Sequence, residues 1–584
     1  MEPYFYFSSS GAVNKKRYDA LRAFFFEKRP AEEVANTYGY SLSSFYSLTR
    51  DFRRHLKQNP MEDIFFKEVV LGRKENKQEG LEDMIIGLRK HNFSTEDIVG
   101  IVNSKGYNVS YGYVYKLLNS EGFARLPRRG RQEKKKLLLP KIKAPIAGML
   151  DFRNEKFHSA STGIFAFLPF IKKYGIDKVI TDSSYPSTKS IDKLSSILSF
   201  VAIKLSNVKR YSDDDMWCMD RGLGLFAGLN VLPKSAWLCS YSSRVTKDIN
   251  MDFLKNLHNV WLDHGLLSDT CNLDFTTIPY WGDDSHLENN WSGKRNKALS
   301  SMLAILAQDP DTGIIDYGNC DVLHKNQSAV VLEYLDFYKQ APEGKQSINY
   351  LVFDSKFTNY ENLTRLDDQG IKFITIRRRG KNILEQINKN NTYKSLRVEA
   401  SGLKKRTLKV RDEHITLRGY NDVKTGDPRK IRQITITGHG KIKPALVITN
   451  DFDINTDKVV RKYCRRWIVE KGISEQIEFF HLNRVSSSMV IKVDFDLTMT
   501  ILAHNLYRLF ALDLERYSEF SDERIYEKFI VNNGNIEITE NQIKVELKKK
   551  RDLPQIIEMM KNYSDVNYQW LENRKIVFYP SSTT

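Results

Sequence analysis

Thr270-Cys-Asn-Leu-Asp274-Phe-Thr-Thr-Ile-Pro279 and Asn349-Tyr-Leu-Val-Phe-Asp354 are the two stretches on which the fold turns. Each is a short apolar run that meets an aspartate. Aspartate commonly ends strands as a turn former, so either one alone decides little. Their surroundings add the rest. Met302-Leu-Ala-Ile-Leu-Ala307 has the pattern of a buried strand, Asp309-Pro-Asp-Thr-Gly313 that of a turn, and Ile314 to Tyr317 returns as the second arm of a hairpin. Gln327 to Gln340 and Thr358 to Gln369 read as helices, and Ile371 to Ile376 as a further strand. The order of strand, hairpin, helix, strand, helix, strand predicts an α/β mixed sheet with helices on its faces. Ile191 to Leu205 and Met251 to Leu262 carry helical patterns before it.

After this core, five short runs alternate or stay apolar as strands: Ser395–Glu399, Thr407–Val410, His414–Arg418, Ile431–Thr437 and Ala445–Thr449. They predict a β-rich insertion. The tail reads as strands at Tyr526–Val531, Ile536–Ile538 and from Ile543, then a helix from Leu553 to Tyr563.

The 584 residues are about four times a 150-residue domain, which calls for several domains. A content of 41% apolar and 12% aromatic residues excludes a chain disordered throughout. No uncharged apolar run is long enough to span a membrane, and the first residues lack the order of a secretion signal. The five cysteines (Cys218, Cys239, Cys271, Cys320, Cys464) contain no CxxC and read as reduced, buried thiols of an intracellular, cytoplasmic protein.

A net charge of +18 favours a polyanionic partner, and its distribution sharpens the point. Leu126 to Lys143 holds eight basic residues and one acidic one, broken by Pro127, Gly130 and Pro140. This is the composition of a linker, and Arg128, Arg129 and Arg131 around Gly130 suit a DNA minor groove. Lys381 to Pro444 holds sixteen basic residues against six. Lys294 and Arg295 form a smaller basic turn between the predicted strands.

Before the linker the chain reads as small all-α units. Helical spacing from Arg17 to Lys28, Ala35 four residues before Gly39, and Ser41 opening a helix with Phe45, Leu48 and Phe52 on one stripe match a helix-turn-helix. Ser43, Ser44, Tyr46, Ser47 and Arg50 would then face a major groove. A second such unit is expected from Leu81, with Ser94-Thr-Glu-Asp97 as a capping box and Ser110 as the next cap.

A third chemical element stands at Tyr463-Cys-Arg-Arg466-Trp-Ile-Val-Glu470. On a helix, Tyr463, Arg466 and Glu470 share one face. Together, Asp274, Asp354 in LVFDSKFTN and Y-x2-R-x3-E at 463–470 resemble the DDE insertion-sequence transposases, in particular those with a YREK motif and a β-rich insertion before the last acid. Such a paired helix-turn-helix start also resembles transposase N-termini. The resemblance covers roughly Thr181 to Leu514.

What it implies is an RNase H-like core in which Asp274, Asp354 and Glu470 are catalytic and metal-binding, with Tyr463 and Arg466 as DNA-contacting neighbours. The implied cofactor is Mg²⁺, with Mn²⁺ as a substitute. The implied partner is double-stranded DNA, both element ends and target, and two ends brought together imply a homodimer. Arg50, Arg128, Arg129, Arg131, Lys294 and Arg295 are the further expected DNA contacts. The family pattern expects a lysine seven residues after the glutamate, where this chain has Ile477. Lys471, His481 or Arg484 is left to supply that contact, and Glu478 is a rival carboxylate. Relatives use the insertion to hold a flipped base, for which a residue such as Tyr420 would serve here.

The implied chemistry is cleavage of phosphodiester bonds at transposon ends and transfer of the 3′-hydroxyl into target DNA, and two divalent cations on a few carboxylates suffice for it. Two other readings share these residues: a DNA-binding regulator with an inactive core, and a Mg²⁺-dependent structure-selective nuclease. The expected organisation is helix-turn-helix units at 1–75 and 76–125, a basic linker at 126–150, and a helical lead-in at 151–265. The catalytic core follows at 266–380, the insertion at 381–450, the helices carrying the last acid at 451–515, and a small α/β appendage at 516–584.

Overall fold

The structure is a computed structural model that describes residues 13–58, 65, 81–90, 93–104, 107–123, 150, 152–209, 216–280, 287–292, 297–340, 348–380, 383–385, 387, 392–400, 404–439, 443–482 and 490–582. Within these, the side chains of 216, 292, 399, 400, 404, 405, 467–477, 490 and 491 lie outside the description. The chain folds as two compact units, Met1–Leu81 and Glu82–Thr584.

In the first unit, α1 (Val13–Phe25), α2 (Ala31–Thr37) and α3 (Leu42–Gln58) close over Ala20, Ala23, Val34, Ala35 and Phe45. Gly39 between α2 and α3 has φ +64°, a conformation that a side chain disfavours. Ser41 Oγ accepts from the Ser44 N–H and so caps α3. Ser43, Ser44, Tyr46 and Arg50 are exposed on that helix.

The second unit begins with three more helices, α4 (Leu81–Lys90), α5 (Thr95–Ser104) and α6 (Tyr111–Ser120). The capping box forms as the sequence predicts: Ser94 Oγ accepts from Asp97 N–H at 3.1 Å, and the Asp97 carboxylate accepts from Ser94 N–H at 3.2 Å. Ser110 caps α6 through the Tyr113 N–H.

Strand β1 (Glu155–Ser159) precedes a helical layer that includes α7 (Lys193–Leu205) and α8 (Lys247–Asp263). The central sheet follows: β2 (Thr270–Pro279), β3 (Asn289–Ser292), β4 (Lys297–Gln308), β5 (Ile315–Val322), α9 (Val330–Lys339), β6 (Tyr350–Phe353), α10 (Tyr360–Asp368) and β7 (Lys372–Ile376). β5, β4 and β2 run antiparallel, and β6 and β7 continue parallel to β2. The spatial order β5-β4-β2-β6-β7 is that of an RNase H-like mixed core.

The β-rich insertion adds β8 (Lys394–Ala400), β9 (Lys404–Asn421), β10 (Pro428–Thr437) and β11 (Ala445–Thr449). These strands form no separate sheet, because β11 pairs with β7 and carries the central sheet onward to β8. The two short strands predicted at Thr407–Val410 and His414–Arg418 are one long strand, β9. It buries Leu408 and Val410 on one face and Leu417 on the other, so it serves two cores along its length. Helices α11 (Thr456–Phe479) and α12 (Val490–Asp513) come next.

The tail departs from expectation twice. Tyr526–Val531 is not a strand: residues 522–530 are helical, and Ile525 and Phe529 are buried at helical spacing. Nor is 516–584 an appendage. β12 (Gly534–Ile538), β13 (Gln542–Leu547), α13 (Leu553–Lys561), β14 (Asn567–Tyr568) and β15 (Arg574–Pro580) share one apolar core with the 151–265 layer and α12, and β1 pairs directly with β12.

Among the described residues no helix is long and apolar enough to cross a membrane. Cys218, Cys271 and Cys320 are buried, but Cys239 is exposed, contrary to expectation, and Cys464 is half-buried.

Candidate active site

Parallel pairing of β2 with β6 puts Leu273 opposite Phe353. Asp274 and Asp354 therefore occupy the next position on two adjacent strands, whose backbones lie about 4.8 Å apart. Asp354 ends β6 and keeps extended backbone (φ −81°, ψ 168°) before a tight helical turn at Ser355–Phe357. The strand thus delivers its carboxylate just past its C-terminal end, half-buried. Asp274 is 6% exposed, and its Oδ1 accepts from the Phe275 N–H at 3.0 Å.

The turn after Asp354 is held firmly. Phe357 stacks on Phe275 with ring centroids 3.9 Å apart and planes within 4°. Thr375 donates to the Asp354 carbonyl and Arg378 to that of Ser355. The packing that follows one aspartate is locked to the packing that follows the other.

Helix α11 lies along β2. Lys462 Nζ donates to Thr270 Oγ1 at 2.7 Å, and Arg466 Nη1 meets Asp274 Oδ1 at 3.4 Å, with Arg466 3% exposed. Its first half packs Val459, Val460 and Tyr463 against Val352, Ile374 and Val447 of the sheet. The loop before it is tied down by Asp451, which accepts from the Tyr350 hydroxyl. Burial and then this hydrogen bond hold Tyr350 protonated, well above the usual tyrosine range. Glu470 stands one helical turn beyond Arg466. Its side chain lies outside the described residues, as do those of Lys471, Glu475 and Ile477 and the whole of Arg128, Arg129, Arg131, Lys294 and Arg295.

Residues 273–506 match the family model of the transposase DDE domain. Asp274, Asp354, Tyr463, Arg466 and Glu470 all fall inside the matched span, and the N-terminal helical units and the whole of 516–584 fall outside it. A solved structure similar to the chain is a piggyBac transposase synaptic complex with hairpin DNA, at 10% identity and a TM-score of 0.34, covering 70% of this chain and 84% of that one. No curated protein matches.

Two expected DNA contacts within the matched span lie elsewhere than at the surface. Tyr463 is buried between α11 and the sheet, where its ring serves packing, and Arg466 is buried beside Asp274. Tyr420, considered for base stacking, is buried with its hydroxyl on Asp367. The cationic insertion is also less available than its count suggests. Arg429 binds Asp367, Asp368 and Asp422, and Arg432 is buried against Asp412 and Thr456. Lys394, Arg397, Arg406, Lys409, Arg418 and Lys430 remain exposed.

Sequence reasoning missed Lys462, Thr270 and the Phe275–Phe357 stack. Thr270, Phe275 and Phe357 lie within the quoted stretches, but like Lys462 each acquires its role only from strand register and helix placement.

The donors fit a hard divalent cation. Asp274 and Asp354 offer carboxylate oxygens at neighbouring strand positions, the ligand type such ions take. Among the described residues no group of three His, Cys, Asp or Glu side chains is assembled.

Proposed function

We propose that the chain is a DNA transposase that cuts phosphodiester bonds at the ends of a mobile element and joins the freed 3′-hydroxyl to target DNA. The observation that carries this reading is the register of β2 and β6, which sets Asp274 beside Asp354, with Arg466, one turn before Glu470, on Asp274. The DDE-domain match over the same residues supports it.

In this reading Asp274 and Asp354 are a rigid pair of oxygen donors, and Glu470 completes the set from α11. They would hold Mg²⁺, with Mn²⁺ as a substitute. When bound, such ions activate the attacking oxygen and stabilise the leaving one. The chain's own part is to fix the carboxylates against movement through the Phe275–Phe357 stack and the Lys462–Thr270 anchor. The exposed lysines and arginines of β8–β10 grip the DNA backbone, which positions it without reading its sequence. The N-terminal helical units, with Arg50 on α3, select the ends, and two chains act together on two ends.

The test is incubation of the full chain with a labelled duplex carrying the inverted repeats that flank its gene. Mg²⁺-dependent strand cleavage, followed by joining of the 3′ end to a second duplex, is expected. Cleavage undiminished by Asp354→Asn would reject the assignment.

A further inference from the structure

β7 ends in charge. Lys372-Phe-Ile-Thr-Ile376 runs straight into Arg377-Arg-Arg-Gly380, like charges in succession that repel one another. Two of the arginines hold the strand end in place. The Arg377 N–H donates to the Leu446 carbonyl at 2.8 Å, which continues the ladder with β11, and its Nη1 donates to Gln433 Oε1 at 2.8 Å. Arg379 Nη1 donates to the carbonyls of Lys443 and Pro444 at 3.3 and 2.9 Å. Arg378, between them, is exposed and makes one long bond, from Nε to the Ser355 carbonyl at 3.4 Å. Its two Nη groups meet no acceptor among the described residues. All of these acceptors are neutral, so they leave the charge of the segment in place.

The register says where that charge stands. Val352 of β6 pairs with Ile374 of β7, which sets Asp354 level with Ile376. Val352 and Ile374 face α11 in one core, and alternation brings Asp354, Ile376 and Arg378 to the same face. Arg378 lies about 7 Å of strand past the level of Asp354, and its bond to Ser355 ties the side chain back beside that aspartate. The neighbouring strands β2, β6 and β7 thus present Asp274, Asp354 and Arg378 side by side. The cations that α11 brings to this face have other contacts: Lys462 with Thr270, Arg465 with Asp311, and Arg466 buried beside Asp274.

DNA led to two carboxylates brings its own negative charge past them. Divalent cations would offset the phosphate being cut, but a flanking phosphate needs a donor from the protein. We infer that Arg378 is that donor: the outer edge of its guanidinium, Nη1 and Nη2, grips a backbone phosphate flanking the cut, the bidentate contact that the fork geometry of arginine suits. Its Nε on the Ser355 carbonyl keeps the plane of the fork oriented, and Arg377 and Arg379 fix the backbone from which it reaches. Arg378 therefore aligns the strand against Asp354, and in phosphoryl transfer such positioning is much of the catalysis. The inference rests on the carboxylate assignment proposed above.

The test uses the full chain and a labelled duplex carrying the inverted repeats that flank its gene. In single turnover at saturating protein, Arg378→Met should slow Mg²⁺-dependent cleavage by about ten- to a hundredfold, the range that a charge-assisted hydrogen bond supplies. Arg378→Lys keeps the charge but loses the fork, and should fall between. The slope of log affinity against log salt should become shallower by about 1 in Arg378→Met, as for one lost phosphate contact. Its melting temperature should not move, since the side chain is exposed. The phosphate is then neutralised from the DNA side, with single methylphosphonates placed in turn at the positions flanking the cut. One of them should slow the wild-type chain as the variant is slowed, and on that duplex Arg378→Met should lose nothing more.

Wild-type cleavage by Arg378→Met, or a loss that persists undiminished on every methylphosphonate duplex, would overturn the inference. A wild-type chain indifferent to all of these substitutions would overturn it too, whatever the variant does. Asp354→Asn separates the two layers. If it cleaves as wild type does, the carboxylate assignment itself fails. If it is inactive while Arg378→Met cleaves normally, only the role of Arg378 fails.

Discussion

Replacing Arg466 with methionine should destabilise the central sheet and α11, by an amount that depends on divalent cation. Arg466 and Asp274 are 3% and 6% exposed, with Nη1 and Oδ1 3.4 Å apart. Unit charges at that separation attract by about 5 kcal/mol at an effective dielectric near 20. Removing one partner of a buried pair costs roughly 3–5 kcal/mol, because the other charge loses that compensation. Methionine retains much of the apolar stem, so most of the loss reports the charge and little of it the packing. A cation held by Asp274 takes over the missing compensation, and one present at a hundred times its Kd adds about 2.7 kcal/mol of stability.

The assay is urea unfolding of the full chain in EDTA and in saturating Mg²⁺, followed through the transition of the second compact unit. In EDTA, Arg466→Met should unfold at markedly lower urea than wild type. In Mg²⁺ much of that deficit should vanish. The double variant Asp274→Asn with Arg466→Met, which removes both charges of this pair, should recover much of the stability in EDTA and gain nothing from Mg²⁺. Wild-type stability of Arg466→Met in EDTA, or a deficit that Mg²⁺ leaves unchanged, would refute the reasoning.

Asp354→Asn should leave duplex binding intact by gel shift while abolishing Mg²⁺-dependent cleavage, since Asp354 is half-buried at a strand end and its loss disturbs little packing. Arg429→Met removes the guanidinium shared by Asp367, Asp368 and Asp422 and should loosen the β9–β10 hairpin from α10 by about 1–3 kcal/mol, read as faster amide exchange in β10. Asp451 is held below the usual carboxylate range: burial pushes it up, but hydrogen bonds from Tyr350 and from the Asp453 and Ile454 N–H groups outweigh that. Its stabilisation is therefore complete above the unfolded-chain value of about 3.9 and is lost as pH falls through the lower folded value. Asp451→Asn should accordingly flatten the acid limb of the stability curve, and an unchanged limb would exclude this linkage. Ser94→Ala removes the cap of α5 and should cost about 1 kcal/mol, seen as a lower melting temperature of the N-terminal helices of the second unit.

The sequence alone settled most of the central elements and where the chemistry is written, though not the helical 522–530 or the single long β9. Apolar runs that meet aspartates, alternation from Ser395 to Thr449, the capping box at Ser94 and the left-handed turn at Gly39 are local signals with local physical causes, and local signals survive without a tertiary context. It could not settle what lies beside what. That Asp274 and Asp354 are neighbours depends on a parallel register between strands far apart in the chain. That 516–584 closes the core of 151–265 depends on β1 meeting β12 across almost four hundred residues. The insertion could be read as strands, but their joining the central sheet through β7 and β11 is a hydrogen-bonding choice that no strand encodes by itself. Tyr463, Arg466 and Tyr420 looked like contacts for DNA because tyrosine and arginine are amphipathic and suit either surface or interior. Only the packing of α11 and the insertion against the sheet decided that all three are buried, and that a charge drawn to DNA in a sequence reading is here set against Asp274.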